Sequence, residues 1–235
     1  MNNHKNDLFD YENIKIYQCS ENFKFSLDSI LLAEYVEVKN DNQIIVDFCT
    51  GNAPIPLILS TKTKSKIYAI EIQSKIFHLA KMSVAENRLT DQIVLINDNL
   101  KSVLEYLLPE SADIVTCNPP YFKYEESSLI NVDREKAIAR HEIETNFEEI
   151  IVAANYVLKN KGSLYIVHRP ERLEELIGIL NKYKFRIKNI SFIYSNIDKL
   201  AIAVVFRATK NGSSDLKVGK PIDISNCNTY KNIFR

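Results

Sequence analysis

Glycine is scarce in this chain, five in 235 residues, and tryptophan is absent. Neither GxGxxG nor GK[ST] occurs, which excludes the usual dinucleotide fingerprint and the phosphate loop. A nicotinamide-dependent oxidoreductase is disfavoured on that ground. The four cysteines, Cys19, Cys49, Cys117 and Cys227, lie far apart and form no CxxC pair. That spacing supports neither a zinc site nor a disulfide framework, so reduced thiols and no bound metal are expected. The histidines His4, His78, His141 and His168 likewise have no metal-ligand spacing. No apolar run approaches the roughly 18 residues of a membrane span. Residues 1–6 lack the apolar core of a secretory leader, so a cytoplasmic protein is expected. An excess of either charge is also missing: 30 basic and 30 acidic residues cancel. Binding to a polyanion would therefore need a local basic patch.

What is present is enough apolar material for a real core, 46% of the chain, and a regular rhythm. Residues 14–25 mix apolar and polar side chains at short period and predict an N-terminal hairpin. A helix follows, with Ser26 as its N-cap and Ile30, Leu31, Ala33, Tyr35 and Val36 on its buried side. Strands are then predicted over 44–48, 66–70, 92–96, 113–117 and 163–167. They alternate with helices over 54–60, 74–88, 100–107, 146–158 and 171–183. Pro54 opens the first of these five helices, and Asn146 with Glu149 forms a capping box for the fourth. Two last strands, 187–194 and 200–206, are joined by a short polar link and should be antiparallel. Alternation of this kind implies right-handed crossovers. The expected fold is α/β: a Rossmann-like, mostly parallel seven-stranded sheet with an antiparallel edge hairpin and helices on both faces. The chain divides into an N-terminal part (1–40), a core (41–207) and a polar extension (208–235).

Ligands in such sheets bind beyond the C-terminal strand ends, at the point where strand order reverses. Four strand ends carry polar residues suited to that place. Asp47-Phe48-Cys49-Thr50-Gly51-Asn52-Ala53 closes the first core strand, and Gly51 permits a tight turn and close backbone approach. Glu71, followed by Ile72, ends the second, where a carboxylate can accept from both hydroxyls of a ribose. Asp98 follows the third, within reach of an adenine amino group. Asn118-Pro119-Pro120-Tyr121 follows the fourth. Two prolines cannot continue a strand, so they stiffen the turn and aim the Asn118 amide into the crevice. A rigid amide, backbone carbonyls and an aromatic face suit a planar amino group on a planar ring. Each acid taken singly is as well read as a solvated strand end or a helix cap. Their joint placement with Gly51 and Asn118 is what points to a site.

In that order, Val46–Asn52, Glu71–Gln73, Asp98 and the 118–121 tetrad resemble the motifs of class I S-adenosylmethionine-dependent methyltransferases. The tetrad marks the branch that methylates amino groups. Segments 23–33, 138–142 and 167–173 narrow the resemblance to the bacterial valine-tRNA (adenine-N6)-methyltransferases, over roughly residues 10–207. The resemblance implies S-adenosylmethionine as cofactor, a tRNA adenine 3′ of the anticodon as target, and a monomer without membrane or metal. It implies Asp47, Cys49, Thr50, Gly51, Glu71, Ile72, Asp98 and Asn118 as cofactor contacts. Asn118, Pro119, Pro120 and Tyr121 are implied as the catalytic group, with Tyr121 stacking on the extruded base for about 1–3 kcal/mol. Arg140 and Arg169 are the preferred RNA contacts, chosen from Lys123, Arg134, Lys136, Arg140, His141, Arg169 and Arg172. No strong base is required, because the product amine loses its proton readily. One position departs from the family, Ala53, where glycine is usual; its β-carbon is expected to crowd the cofactor and weaken binding. Other acceptors stay open: an rRNA or DNA adenine, or a release-factor glutamine amide. So does a nucleic-acid-binding relative with weak catalysis.

Overall fold

A computed structural model describes residues 3–8, 11–19, 26–119, 146–225 and 230–234. An antiparallel hairpin comes first, β1 (Asn3–Leu8) and β2 (Tyr11–Cys19). It lies earlier than the mixed pattern over 14–25 predicts. The reason is that β1 is polar almost throughout and has no apolar period of its own. Residues 4–7 are exposed and Leu8 is buried, so β1 is held by its ladder to β2 rather than by a core face.

The chain continues through α1 (Leu27–Tyr35), β3 (Ile44–Phe48), α2 (Pro54–Ser60), β4 (Lys66–Ile70), α3 (Ser74–Glu86) and β5 (Ile93–Ile96). A 3-10 turn then leads into the short α4 (Val103–Tyr106), followed by β6 (Ala112–Cys117). The second half comprises α5 (Phe147–Val157), β7 (Leu158–His168), α6 (Leu173–Lys182), β8 (Phe185–Tyr194) and β9 (Ala203–Lys210). The segment read as polar extension adds β10 (Lys217–Val218) and β11 (Ile222–Asp223).

The main sheet runs β8-β9-β7-β6-β3-β4-β5, parallel except for β9, which is antiparallel to both neighbours. This is the doubly wound architecture expected. The two tail strands bring the sheet to nine by pairing parallel with β8. They cover an edge that would otherwise offer unpaired backbone groups. Ile222, Ile224, Tyr230, Ile233 and Phe234 pack on the same apolar cluster as α1, and the Phe234 ring meets Tyr35 edge-on at 4.9 Å.

Strand residues alternate between two cores, as the period of two requires. Val46, Phe48, Val115, Cys117, Leu164, Ile166, Val204 and Phe206 face α4, α5 and α6. Ile45, Ile114, Tyr165, Val167 and Val205 face α1, α2 and α3. The capping box of α5 is formed: Glu149 N donates to Asn146 Oδ1 at 2.9 Å, and Asn146 N donates to Glu149 Oε2 at 3.2 Å. Strand β9 begins three residues later than expected and runs on to Lys210. Leu200, which reads as the start of the apolar run, is 90% exposed. Lys210 is buried because its ammonium finds three acceptors, the Asn155 and Leu158 carbonyls and Glu110, at 2.6, 2.8 and 3.0 Å.

Gly162 sits where β7 slips register against β6. A β-carbon there would lie 2.9 Å from the Lys159 carbonyl oxygen and 2.9 Å from Leu158 Cδ2. Gly162→Ala is expected to destabilise the fold by about 1–3 kcal/mol through overpacking. Urea unfolding of the variant measures it, and an unchanged midpoint contradicts the close approach.

Candidate active site

The chain order β3, β4, β5 moves outward on one side, then returns to β6 on the other side of β3. The C-terminal ends of β3 and β6 are therefore the switch point, with a crevice expected between them. Register pairs Phe48 with Cys117, so the 49–53 loop and Asn118 leave neighbouring strands side by side. Ile70 pairs with both Phe48 and Ile96, which brings Glu71 and the Asp98 segment to the same edge.

The loop after β3 is tightly specified. Cys49, Gly51 and Ala53 all have positive φ, at 54°, 61° and 70°. Glycine adopts this without cost, whereas alanine pays about 1–2 kcal/mol. Ala53 is fully buried within the cluster shared with α1 and α2. Its departure from glycine thus costs backbone strain, and its methyl packs in the core. Thr50 N donates to the Ile70 carbonyl at 2.9 Å, and Gly51 N donates to Glu71 Oε2 at 2.8 Å. Glu71 Oε1 accepts from Gln73 N at 2.9 Å. Burial pushes the Glu71 carboxyl above its ordinary range, against the pull of these amides.

Asp47 is fully buried at the centre of this network. Its two oxygens accept from Thr50 Oγ1 and Thr116 Oγ1, each at 2.6 Å. Burial drives its pKa up to about 7, with the two hydroxyls pulling it back and the Glu71 charge adding to the rise. Asp47 therefore holds the loop to β6 from below. Thr116 is its register partner on β6, a residue that sequence reasoning missed. The signal was available: one hydroxyl among the apolar residues 114–117 of the strand.

Asp98 is half-buried and engaged, accepting from Tyr106 OH at 2.7 Å and Asn99 N at 2.6 Å. Those bonds hold its carboxyl below the usual range. Beside it Asn97, also missed, donates to the Glu71 carbonyl at 2.7 Å and so clips the β4 and β5 ends together. Ile72 is half-buried next to Glu71.

Asn118 is half-buried and Pro119 buried. The Asn118 amide donates to Ser26 Oγ at 3.1 Å and Ser29 Oγ at 2.9 Å. Ser26 has N-cap backbone geometry at α1, as expected, but its hydroxyl makes no cap bond. Arg169, just past β7, donates from its guanidinium to the Ile202 carbonyl at 2.7 Å. Arg172 pairs with Glu175 at 2.9 Å. Pro120, Tyr121 and Arg140 lie outside the described residues, as do Phe23 and Phe25, Lys123, Arg134, Lys136 and His141.

The site therefore unites Asp47, Thr50, Gly51 and Glu71 in one hydrogen-bonded unit, with Asp98 one strand out on one side and Asn118 adjacent on the other. A cleft of about 1100 Å³, bordered by Glu34, Lys62, Arg207 and Phe234, lies over the α1 face beneath the C-terminal segment. None of the strand-end site residues borders it.

The family model for the methyltransferase small domain matches residues 24–186. The chain belongs to the methyltransferase small-domain family. The match takes in every described element from α1 to the start of β8, and with them the four polar strand ends. A relative named tRNA1(Val) (adenine(37)-N6)-methyltransferase, from Porphyromonas gingivalis, is 30% identical over 176 residues. That stretch is 72% of this chain and 68% of the relative. A protein of the same name from Flavobacterium psychrophilum is 24% identical over 216 residues, 90% of each chain. Among solved structures, a predicted O-methyltransferase from Agrobacterium tumefaciens superposes with a TM-score of 0.69 at 19% identity. It covers 88% of this chain and 96% of its own. TrmK from M. capricolum bound to S-adenosylhomocysteine superposes at 0.55 with 21% identity, covering 82% and 72%. The solved structures bear out the fold; the sequence matches establish the methyltransferase family.

Proposed function

We propose that this protein transfers a methyl group from S-adenosylmethionine to N6 of an adenine in tRNA, the adenine 3′ of the anticodon of valine tRNA being the target. The observation that carries the reading is the Asn118 amide, held at the switch point beside the loop that Asp47 and Glu71 organise. The names of the relatives supply the target.

The residues present fit the cofactor. Glu71 accepts one amide bond at each oxygen, which leaves acceptor capacity for ribose hydroxyls. Asn52 Oδ1 and Gln73 Oε1 are buried acceptors without partners among the described residues, which favours a ligand rich in donors. When bound, S-adenosylmethionine supplies an electrophilic methyl on a sulfonium. Thr50 and Gly51 hold the loop against β4, Glu71 takes the ribose, and Asp98 takes the adenine amino group.

The chain's own contribution to the chemistry is positioning. The exocyclic nitrogen of adenine is a poor nucleophile because its lone pair is delocalised into the ring. Asn118 Oδ1 and the Pro119 carbonyl accept its two N–H groups, which draws the nitrogen toward tetrahedral geometry and localises the pair for in-line attack. Tyr121 stacks on the splayed base, and Arg140 and Arg169 meet RNA phosphates.

Two measurements test this. Isothermal titration with S-adenosylmethionine is expected to show binding despite Ala53; no heat at millimolar cofactor leaves only a relic fold. Labelled methyl transfer onto separate pools of tRNA, rRNA, DNA and protein is expected to label tRNA. Label in another pool moves the activity to that acceptor.

A further inference from the structure

The reaction demands a particular orientation of one amide. Adenine N6 carries two hydrogens, so the Asn118 group that meets it has to be the carbonyl oxygen. A flipped amide would set donor against donor, and an unpaired donor facing another loses the contact altogether. The two ends of that amide are nearly isosteric, so shape alone does not choose between them.

In the structure the Nδ2 end is the one that faces the start of α1. Asn118 Nδ2 lies 2.9 Å from Ser29 Oγ and 3.1 Å from Ser26 Oγ, so both of its hydrogens are directed at serine oxygens. Ser29 is 5% exposed in the first turn of α1. Ser26 occupies the N-cap with extended backbone, φ −92° and ψ 155°, yet makes no side-chain cap bond. A serine there ordinarily caps the helix; this hydroxyl serves Asn118 instead. The helix that carries the pair is anchored, because Ile30, Leu31, Leu32 and Ala33 are all buried. The two oxygens are thus fixed relative to the sheet.

We infer that Ser26 and Ser29 are positioning residues: together they take both amide hydrogens of Asn118 and turn its carbonyl oxygen toward the acceptor nitrogen. This rests on the amino-methyltransfer reading above. It also gives the segment before the core a task at the reacting centre that neither serine's position in a helix start would announce.

The test is single-turnover methyl transfer with the full chain, S-adenosylmethionine and unmodified tRNA. Ser26→Ala, Ser29→Ala and the double variant are compared with the wild type, with cofactor and tRNA affinities measured in parallel. The double variant is expected to lose about 10- to 100-fold in rate, the scale of a misplaced reacting group, with both affinities within about twofold. Ser26→Thr and Ser26→Val separate a hydroxyl effect from a packing effect, since they share shape and differ in the oxygen. Threonine is expected to hold the rate within about threefold and valine to fall with alanine. Ser26 is exposed, so these variants fold whatever happens at Ser29. A double variant as fast as wild type, or equal losses for threonine and valine, overturns the inference. A wild-type chain inactive on every acceptor is a failure of the methyltransfer reading instead. In that case the side-chain amide protons of Asn118, assigned by their disappearance in Asn118→Ala, decide the clamp. They are expected at shifts distinct from free amide in the wild type and to collapse to free values in the double alanine variant. Unchanged shifts overturn it.

Discussion

Asn118→Ala is expected to reduce methyl transfer by about a thousandfold or more while leaving cofactor affinity within about threefold. The magnitude follows from what removing one preorganised hydrogen-bonding group does in other active sites, about 10²–10³. It is raised here because no other described side chain at the end of β6 offers the same acceptor. The separation of rate from affinity follows from the topology. Asn118 leaves β6, whereas the loop and Glu71 leave β3 and β4. Asp47 is bonded to Thr50 and Thr116, and Gly51 to Glu71. Single-turnover kinetics and cofactor titration on one preparation check both halves. A near-normal rate removes Asn118 from the chemistry. A large loss of cofactor affinity with the rate preserved at saturation makes it a binding residue only.

The second large effect is on stability, and it depends on pH. Asp47 is raised from an ordinary 3.8 to about 7 in the folded protein. The folded state therefore keeps a proton that the unfolded chain gives up, so stability falls as pH rises from near 4 to near 7 and is flat above. Three units correspond to about 4 kcal/mol at full effect. Asp47→Asn keeps the shape and the two threonine partners but carries no charge. It is expected to match the wild type near pH 4 and to exceed it by about 2–4 kcal/mol at pH 8. Denaturant unfolding at both values gives the difference directly. A variant less stable than wild type at pH 8 would mean that the ionised carboxylate is the favoured form in the fold. A cationic ligand above the loop favours that ionised form. The rise in melting temperature on adding S-adenosylmethionine at pH 8 is accordingly expected to be larger for the wild type than for Asp47→Asn.

Much of this site was legible because its parts sit at strand ends, and strand ends can be read from hydrophobic period and turn chemistry. Asp47, Gly51, Glu71, Asp98 and Asn118 were placed on one rim by counting alternating strands and helices, and the sheet order puts the first and last of these at the switch point. What stayed hidden has a common cause. Thr116, Asn97, Ser26 and Ser29 act through partners distant in sequence, 69 residues from Thr116 to Asp47 and 89 from Ser29 to Asn118. Register decides such pairs, and local pattern carries no register across that span. The hairpin was displaced for a related reason: β1 is polar and owes its existence to its neighbour. The tail strands were missed because each is two residues long, one polar and one apolar, too short to show a period, and they are defined by the β8 edge they cover. Asp47, expected as a cofactor contact, also accepts from Thr50 in its own loop and from Thr116 on the neighbouring strand, a pairing that register decides.

The most direct test of the account is mass spectrometry of nucleosides from tRNA lacking the modification, incubated with the protein and S-adenosylmethionine. The account predicts N6-methyladenosine appearing in valine tRNA and nowhere else in the pool, and absent when Asn118→Ala replaces the wild type. Cofactor consumed with no methylated adenine in any tRNA, or methyl found on an oxygen or a ring carbon, would contradict it.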